Sequence, residues 1–147
     1  MDEIRLERES AHGTLTALYR EYGLEITDNW IEENHPVFSV AARRGEALLG
    51  AATVSRRFDR LVLDYVAVKV EARGLGLGKR LTERCQAYAR EAGESALWIA
   101  AREPEFYIHM NAEETEDAAL LADCLQCPDY LRDCRPKELV FYLKESS

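Results

Sequence analysis

Three glycines stand at alternate positions in the stretch VAVKVEARGLGLGKRL, which runs from Val66 to Leu81. Gly74, Gly76 and Gly78 separate an apolar run from a charged amphipathic run, which is the order expected of a strand, a loop and a helix. A glycine-rich loop at the start of a helix exposes backbone N–H groups, and these groups bind anions together with the helix dipole. A simple turn needs only one or two glycines. The alternation therefore favours a phosphate-binding loop.

Two widespread phosphate-binding loops do not fit this spacing. The P-loop requires a glycine where Arg73 stands, and it requires Ser or Thr where Arg80 stands. The dinucleotide fingerprint G-x-G-x-x-G requires its third glycine where Lys79 stands. A phosphate-binding loop of another kind is therefore expected.

The same stretch resembles the acetyl-CoA motif of the GNAT N-acetyltransferases, in which an apolar strand end precedes R/Q-x-x-G-x-G/A. Arg73, Gly76 and Gly78 match the three named positions of that motif. Val66 and Val68 match the strand that splays from its neighbour to admit the pantetheine arm. The resemblance implies acetyl-CoA as cosubstrate and no metal cofactor.

The resemblance also implies a set of cofactor-binding residues. Backbone N–H groups of the loop would hold the CoA pyrophosphate, with added positive charge from Arg73 and Lys79. Backbone groups of the strand end would pair with the pantetheine amides, and the N–H of Val68 or one near it would polarise the acetyl carbonyl. The expected set is Val66, Ala67, Val68, Arg73, Gly74, Leu75, Gly76, Leu77, Gly78 and Lys79.

Acetyl transfer also needs a proton donor for the departing thiolate and a route to a neutral amine. The stretch EFYIHMNAEE resembles the downstream F-Y-x-x-x-G-F-E signature of the same family, and Tyr107 matches its tyrosine as the proton donor. Asp64 shares strand alternation with Val66, which would turn its carboxyl group towards the same cleft as the candidate general base. His109 and a chain of water molecules remain alternatives for that role.

The first half of the chain predicts the elements that lead to this loop. A strand over IRLERES is followed by two short helices, the first of which Ser10 would cap. Three strand-like runs then begin at Val37, Ala47 and Leu61, and their linkers are short enough for antiparallel hairpins. Gly50 inside the middle run indicates a bulge or a close backbone approach.

The second half completes an α+β pattern. A helix over residues 77–92, a strand over ALWIAA, a short helix with Pro104 in its first turn and a final strand over ELVFYLKE are expected. Asn111 replaces a glycine of the downstream signature and tolerates a left-handed backbone. The order of elements resembles the GNAT fold over nearly the whole chain. This implies a mostly antiparallel central sheet that is splayed around the cofactor strand and flanked by helices.

Composition limits the classes of protein to consider. The chain has 147 residues, enough for one domain over residues 1–147, and its hydrophobic fraction of 47% is ordinary for a globular protein. A net charge of −8 argues against nucleic-acid and anionic-membrane partners. No signal peptide or membrane span is recognisable in the sequence. A cytoplasmic location is therefore expected, and a homodimer is left open.

Three of the four cysteines cluster near the end of the chain. Cys124, Cys127 and Cys134 fall in an expected cysteine-containing insertion at about 118–136. Their spacing is compatible with zinc, but three ligands do not complete a structural zinc site, so we expect thiols that pack the insertion. A disulfide is the third alternative. Cys85 is expected in the core, because it lies on the apolar stripe of the loop helix.

The resemblance to the GNAT family implies an N-acetyltransferase that moves the acetyl group of acetyl-CoA to a primary amine of a small molecule by direct attack in a ternary complex. The stretch CLQCP resembles a segment of some short amino-acid N-acetyltransferases, including relatives of N-acetylglutamate synthase, which points to an amino-acid acceptor. Two other functions remain open at this stage. One is a non-catalytic acyl-CoA sensor, and the other is a metal- or redox-responsive interaction domain built on the three clustered cysteines.

Overall fold

A computed structural model describes residues 3–22, 24, 26–57, 59–101, 104–115 and 137–143. The cysteine-containing insertion predicted at about 118–136, with Cys124, Cys127 and Cys134, lies outside these residues. The elements in chain order are β1 (Ile4–Arg8), a 3-10 helix (His12–Leu15), α1 (Thr16–Glu21), α2 (Trp30–Asn34), β2 (Pro36–Arg44), β3 (Ala47–Arg57), β4 (Arg60–Val68), a second 3-10 helix (Val70–Ala72), α3 (Leu77–Glu91), β5 (Ala96–Ala101), α4 (Pro104–Ile108), β6 (Glu113–Glu114) and β7 (Lys137–Tyr142).

The seven strands form one sheet in the order β1-β2-β3-β4-β5-β7-β6. Hairpins join β2 to β3 and β3 to β4, as the short linkers predict. Within the described strands, β4 and β5 are the only parallel neighbours. The predicted α+β fold with a mostly antiparallel sheet is therefore confirmed.

Helix α3 covers one face of the sheet, here called the α3 face. Its buried side chains pack on alternate apolar residues of β2, β3 and β4, as the 3.6-residue period requires. The predicted burial of Cys85 on the apolar stripe of this helix is confirmed, since its thiol is fully buried. The helix, predicted over residues 77–92, ends at Glu91, and Ala92 after it is exposed.

The short helices α1 and α2 cover the opposite face, here called the α1/α2 face. Leu15, Leu18, Tyr19 and Trp30 are buried there against the sheet. Ser10 does not cap the first helix, because the N–H of Glu9 still bonds to the carbonyl of Ser39 and keeps the chain extended. The helix consequently starts at His12, and no side chain caps its N-terminus.

Gly50 lies at a close backbone approach and beside a β-bulge at Leu49, so both options that the sequence leaves open occur here. A Cβ atom at this position would lie 2.9 Å from the carbonyl oxygen of Ala67 on the neighbouring strand. Glycine is therefore required for β3 to pack against the end of β4, which is the strand expected to hold the cofactor.

Candidate active site

The sheet opens where β4 and β5 separate. Among the described residues, Val62 with Trp98 is the only register pair that joins the two strands. Beyond that pair the strands diverge, so the residues at the end of β4 have no sheet partner from β5. Val66 and Val68 on this edge pack their side chains on the α3 face. The predicted splay around the cofactor strand is therefore confirmed.

A β-bulge interrupts β4 at Asp64. Thr53 pairs with Tyr65 and Val54 pairs with Leu63, so Asp64 has no partner on β3. A bulge places two successive residues opposite one and breaks the alternation of side chains. The prediction that Asp64 shares a face with Val66 is therefore wrong, because Asp64 contacts Arg57 and lies on the α1/α2 face, beside Tyr65.

The glycine-rich loop has the conformation that its sequence predicts. Gly74 and Gly76 have φ values of 89° and 73°, in the left-handed region that favours glycine. Gly78 is restricted by space instead, since a Cβ atom there would lie 3.2 Å from the ring of Phe106. The buried Ala72 anchors the start of the loop in the core, while Leu75 at its tip is exposed.

The N-terminus of α3 is suited to an anion. Its cap residue is Gly76, which provides no side-chain hydrogen bond, and its first turn contains no acidic residue. Arg80 N–H bonds to the carbonyl of Gly76, whereas the preceding N–H groups, from Leu77 to Lys79, belong to the first turn and have no carbonyl partner within the helix. Lys79 and Arg80 add positive charge at the end of the helix where the dipole already disfavours it. A bound anion would offset the repulsion between these positive side chains and the positive end of the helix dipole.

Tyr22 at the end of α1 connects the α1/α2 side of the molecule to the loop. Its hydroxyl accepts a hydrogen bond of 2.7 Å from the backbone N–H of Val70. The guanidinium of Arg73 lies over the same ring, at 5.6 Å from the ring centroid. Arg73 is exposed and precedes the N-terminus of α3 by four residues.

Tyr107 lies on α4, on the α3 face of the opening. It is half-buried and packs against the core with its ring edge-on to Phe106 and Phe141, at centroid distances of 5.0 and 6.3 Å. Asn111 after the helix has a φ of 75°, so the left-handed turn that the sequence predicts at this asparagine is confirmed. The chain then continues into β6.

Asp64 is buried, with 2% of its side chain exposed, and forms an ion pair with Arg57. Burial raises the pKa of the Asp64 carboxyl to about 6, although Arg57 and the nearby Ser55 hydroxyl both act to lower it. Ser55 Oγ, Arg57 Nε and Asp64 Oδ2 are all buried, and among the described residues none makes a hydrogen bond of normal geometry, although the Ser55 hydroxyl is close enough to the carboxyl group to affect its pKa. A carboxyl group with this pKa can accept or donate a proton near neutral pH.

Aromatic rings form the wall beside Asp64. Tyr65 lies 4.9 Å from Tyr19 and 5.7 Å from Trp30, measured between ring centroids. The hydroxyl of Tyr65 accepts a hydrogen bond of 2.9 Å from the amide of Asn34. Burial and the neighbouring Asp64 raise the pKa of Tyr65, which therefore stays neutral.

The sequence does not reveal Ser55, Arg57, Tyr22 or Phe106 as site residues. Arg57 reaches Asp64 across the β3–β4 hairpin, and the seven-residue separation is the only local signal of that pair. His109, the alternative to Asp64 as the general base, is exposed just after α4.

Within the described segments, no group of three or more His, Cys, Asp or Glu side chains is arranged to hold a metal ion. No helix in those segments has the length and apolar character needed to cross a membrane.

Solved structures share this fold. N-acetylglutamate synthase from Neisseria gonorrhoeae, complexed with coenzyme A and N-acetyl-glutamate, superposes with a TM-score of 0.75 at 20% identity, over 99% of this chain and 36% of that one. A GNAT family acetyltransferase from Elizabethkingia anophelis with acetyl-CoA bound gives 0.71 at 15% identity, over 97% of this chain and 100% of that one. A ribosomal-protein-alanine N-acetyltransferase from Escherichia coli gives 0.69 at 13% identity, over 99% and 97% of the two chains.

The chain spans only about a third of the two N-acetylglutamate synthase chains that it resembles, at 36% and 34% of their lengths. No individual curated protein matches its sequence significantly. The sequence profile of the Acetyltransferase (GNAT) family matches residues 3–109, which include β4, the glycine-rich loop, α3 and Tyr107. The chain belongs to the GNAT family of acetyltransferases.

Proposed function

We propose that the protein is an N-acetyltransferase that moves the acetyl group of acetyl-CoA to a primary amine of a small molecule, by direct attack in a ternary complex. One observation carries the proposal. The uncapped, positively charged N-terminus of α3 lies beside the end of β4, beyond the point where β4 pairs with β5, since a Cβ atom at Gly78 would lie 3.9 Å from Val68 Cγ2. The anion site and the free strand edge together suit a long ligand with a phosphate at one end and amide groups along its length.

In this proposal the cofactor follows the loop and the strand edge. Backbone N–H groups from Gly74 to Lys79 hold the pyrophosphate, since the N–H of Arg73 donates to the carbonyl of Val70. The Arg73 guanidinium turns from the ring of Tyr22 to the phosphate oxygens. Backbone groups from Val66 to Val68 pair with the pantetheine amides. The thioester then lies in the opening between the two strands, and a backbone N–H near Val68 polarises its carbonyl.

The proposed acid and base approach that opening from opposite faces of the sheet. Asp64 accepts a proton from the ammonium group of the acceptor on the α1/α2 face, and the neutral amine attacks the acetyl carbon. A C–N bond forms, the C–S bond breaks, and the thiolate of CoA takes a proton from Tyr107 on the α3 face. The second proton that the attacking nitrogen loses to become an amide restores Tyr107, so one proton per cycle is left on Asp64. At pH 7 Asp64 is mostly ionised, since its pKa is about 6, and it is therefore ready to accept.

The α1/α2 face suggests an acceptor that carries a carboxylate. Arg57 and Arg60 lie directly opposite each other across β3 and β4, and the guanidinium of Arg60 lies 3.9 Å from the ring centroid of Trp98. Paired arginines on this face contrast with the net charge of −8 of the whole chain. Arginine binds carboxylates in a bidentate manner, so an amino acid is the acceptor class that we infer.

Two measurements test the proposal. Acetyl-CoA at millimolar concentration should raise the melting temperature, because it binds the folded state only. Release of free CoA should then be measured across a panel of amino acids, polyamines and peptides, with the largest rate expected for amino acids. A thermal shift without CoA release from any amine would instead indicate the acyl-CoA sensor, and no shift at all would refute both functions.

Tyr107→Phe separates catalysis from binding. The variant removes the proton donor but keeps the ring that packs against Phe106 and Phe141. The turnover number should fall by about a hundredfold while the KM for acetyl-CoA changes little. An equal loss of turnover and of acetyl-CoA binding would contradict the role of Tyr107 as the acid.

The cytoplasmic location and the homodimer stay predictions.

A further inference from the structure

Three polar side chains of the β3–β4 hairpin meet on the α1/α2 face. Ser55 lies opposite Val62, and Asp64 follows Val62 by two residues without a break in the alternation. Ser55 and Asp64 are therefore diagonal neighbours on one face of the sheet. Arg57 lies two residues farther along β3 on the same face, and its guanidinium reaches the Asp64 carboxyl group. The hairpin thus places a cation and a hydroxyl beside one carboxyl group.

The two oxygens of the Asp64 carboxyl group have different surroundings. Oδ1 forms the ion pair with Arg57 Nη2, whereas Oδ2 is buried and makes no hydrogen bond of normal geometry in the described segments. Rotation about the Cβ–Cγ bond would exchange the two oxygens, and the ion pair opposes this rotation because it holds Oδ1. Oδ2 is therefore the oxygen that is left to bind a proton.

Arg57 and Ser55 also favour the ionised form of this carboxyl group. Only 2% of the Asp64 side chain is exposed, against 25% for Arg57, whose guanidinium extends from the buried carboxyl group towards the surface. Burial raises the pKa of Asp64, and the charge of Arg57 and then the Ser55 hydroxyl act to lower it. Without these two side chains, the carboxyl group would stay protonated to a higher pH.

The other charged and titratable groups around Asp64 act on it less. In the described part of the chain these groups come from two strands and two helices: Arg57 on β3, Arg60 and Tyr65 on β4, Tyr19 on α1 and Glu33 on α2. Burial raises the pKa of both tyrosines, which therefore stay neutral, and the Tyr19 hydroxyl lies 2.7 Å from Thr53 Oγ1. Arg57 is the charge among them that shifts the pKa of Asp64.

We propose that Arg57 and Ser55 are positioning residues for acetyl transfer, which hold the ionised Asp64 carboxyl group so that Oδ2 accepts the proton of the acceptor amine. This inference rests on the proposed function. In that step an N–H bond of the ammonium group breaks and an Oδ2–H bond forms, while Oδ1 keeps its contact with Arg57. The proton leaves Oδ2 through the acceptor cleft after the product has dissociated. Neither positioning residue gains or loses a proton.

Arg57→Gln tests the ion pair. Glutamine is a polar side chain without charge, so the ionised Asp64 loses its counter-charge. With acetyl-CoA and the best amine of the panel saturating, the acidic limb of the kcat–pH profile should move to higher pH by about one unit, while the KM for acetyl-CoA stays unchanged. Asp64→Asn identifies the limb, because this variant should lack it. An unmoved limb in Arg57→Gln would overturn the role of Arg57.

Ser55→Ala tests the hydroxyl. The limb should move in the same direction but by less, since the hydroxyl has the weaker effect on the carboxyl group. The matched control is Ser39→Ala, which removes another fully buried serine hydroxyl from the α1/α2 face. The partners of Ser39 are His12 and Thr53, at 2.7 and 2.8 Å, so its removal should lower the melting temperature and leave the limb unmoved. Equal shifts in the two serine variants would overturn the role of Ser55.

Urea unfolding gives a second readout that needs no acceptor. In the wild type, the stability that Asp64 contributes is lost as pH rises through its pKa of about 6. Removal of Arg57 or Ser55 raises that pKa, so the loss should extend to higher pH in both variants, whereas Ser39→Ala should keep the wild-type pH dependence. If Arg57→Gln melts below the assay temperature, Ser55→Ala decides the test.

The outcomes separate this inference from the proposed function. An active wild type, combined with limbs and unfolding profiles that do not move in either variant, overturns the positioning roles alone. A wild-type protein inactive on every amine overturns the proposed function and these roles together.

Discussion

The two faces of the sheet differ in the kinds of side chain that they bury. On the α3 face, an apolar core supports a loop whose backbone is exposed and whose positive charge lies at the surface. On the α1/α2 face, polar side chains are buried beside aromatic rings, and three of their atoms have no hydrogen-bond partner in the part of the chain that the structure describes. The α3 face is suited to hold a charged ligand and carries the proposed acid Tyr107, whereas the α1/α2 face carries the proposed base Asp64. Binding of the cofactor and chemistry on the acceptor should therefore respond to different substitutions.

Asp64→Asn should stop the proposed proton transfer on the α1/α2 face and leave acetyl-CoA binding on the α3 face intact. Asparagine keeps the shape of the carboxyl group but cannot accept the proton of the amine. The turnover number should fall by about a hundredfold or more at pH 7.5, with little change in the KM for acetyl-CoA. Steady-state kinetics at saturating amine measure both. Loss of acetyl-CoA binding to the same extent would show that the two faces are not independent.

The same variant changes how stability depends on pH. Burial raises the pKa of Asp64 from 3.8 to about 6 in the folded state. Its stabilising contribution is therefore complete below pH 3.8 and is lost as pH rises through 6, because the unfolded state releases this proton first. The loss amounts to about 3 kcal/mol across that interval. Urea unfolding of both proteins between pH 4 and pH 7 should show this slope in the wild type and its absence in Asp64→Asn.

The features of the α3 face could be predicted from the sequence because they depend on residues that are close together in the chain. Arg73, Gly76 and Gly78 follow one another within six residues, and the backbone angles of Gly76 depend on little besides the residue itself. The stripe of α3 and the order of the strands follow from periods of 3.6 and 2 residues in the same way. These features need no knowledge of which strands become neighbours.

The features of the α1/α2 face depend on contacts between residues that are far apart in the chain. No local sequence pattern predicts such contacts. His12 and Ser39 are 27 residues apart, and Tyr19 and Thr53 are 34 apart. The bulge reverses the face of Asp64 relative to strict alternation, so the prediction of its direction fails even though β4 itself is predicted correctly. Side-chain direction in a strand is reliable only while the register is unbroken.

Gly50→Ala should disturb the proposed cofactor site on the α3 face by displacing the end of β4. The new Cβ would lie 2.9 Å from the backbone oxygen of Ala67, so β4 must move at the edge that is proposed to hold pantetheine. We expect a loss of about 1–3 kcal/mol in the free energy of unfolding and a raised KM for acetyl-CoA. The control is Gly13→Ala, whose Cβ would lie 3.6 Å from Ile31, an ordinary contact. Equal effects of the two substitutions would refute the argument from close packing.

Gly76→Ala separates the strain of a left-handed residue from the binding of an anion. Gly76 and Gly93 have φ values of 73° and 82°, and a Cβ atom at either position would meet nothing within 4 Å. Both alanine variants should lose about 1 kcal/mol of stability through strain alone. Only Gly76→Ala should also reduce the thermal shift produced by acetyl-CoA, because Gly76 is the cap residue of the helix that we propose binds the pyrophosphate. Equal shifts in the two variants would contradict the anion site.

Tyr22→Phe addresses the contact that joins the two faces and should have the smallest effect. It removes the hydrogen bond from the Val70 N–H and keeps the aromatic ring beneath Arg73. Because a single exposed hydrogen bond contributes about 1 kcal/mol or less, the KM for acetyl-CoA should rise about fivefold or less at constant kcat. Tyr142→Phe is the control, since that ring is 63% exposed on β7. A fall in kcat in Tyr22→Phe would show that the loop influences the chemistry through α1, and the separation of the two faces would then be incomplete.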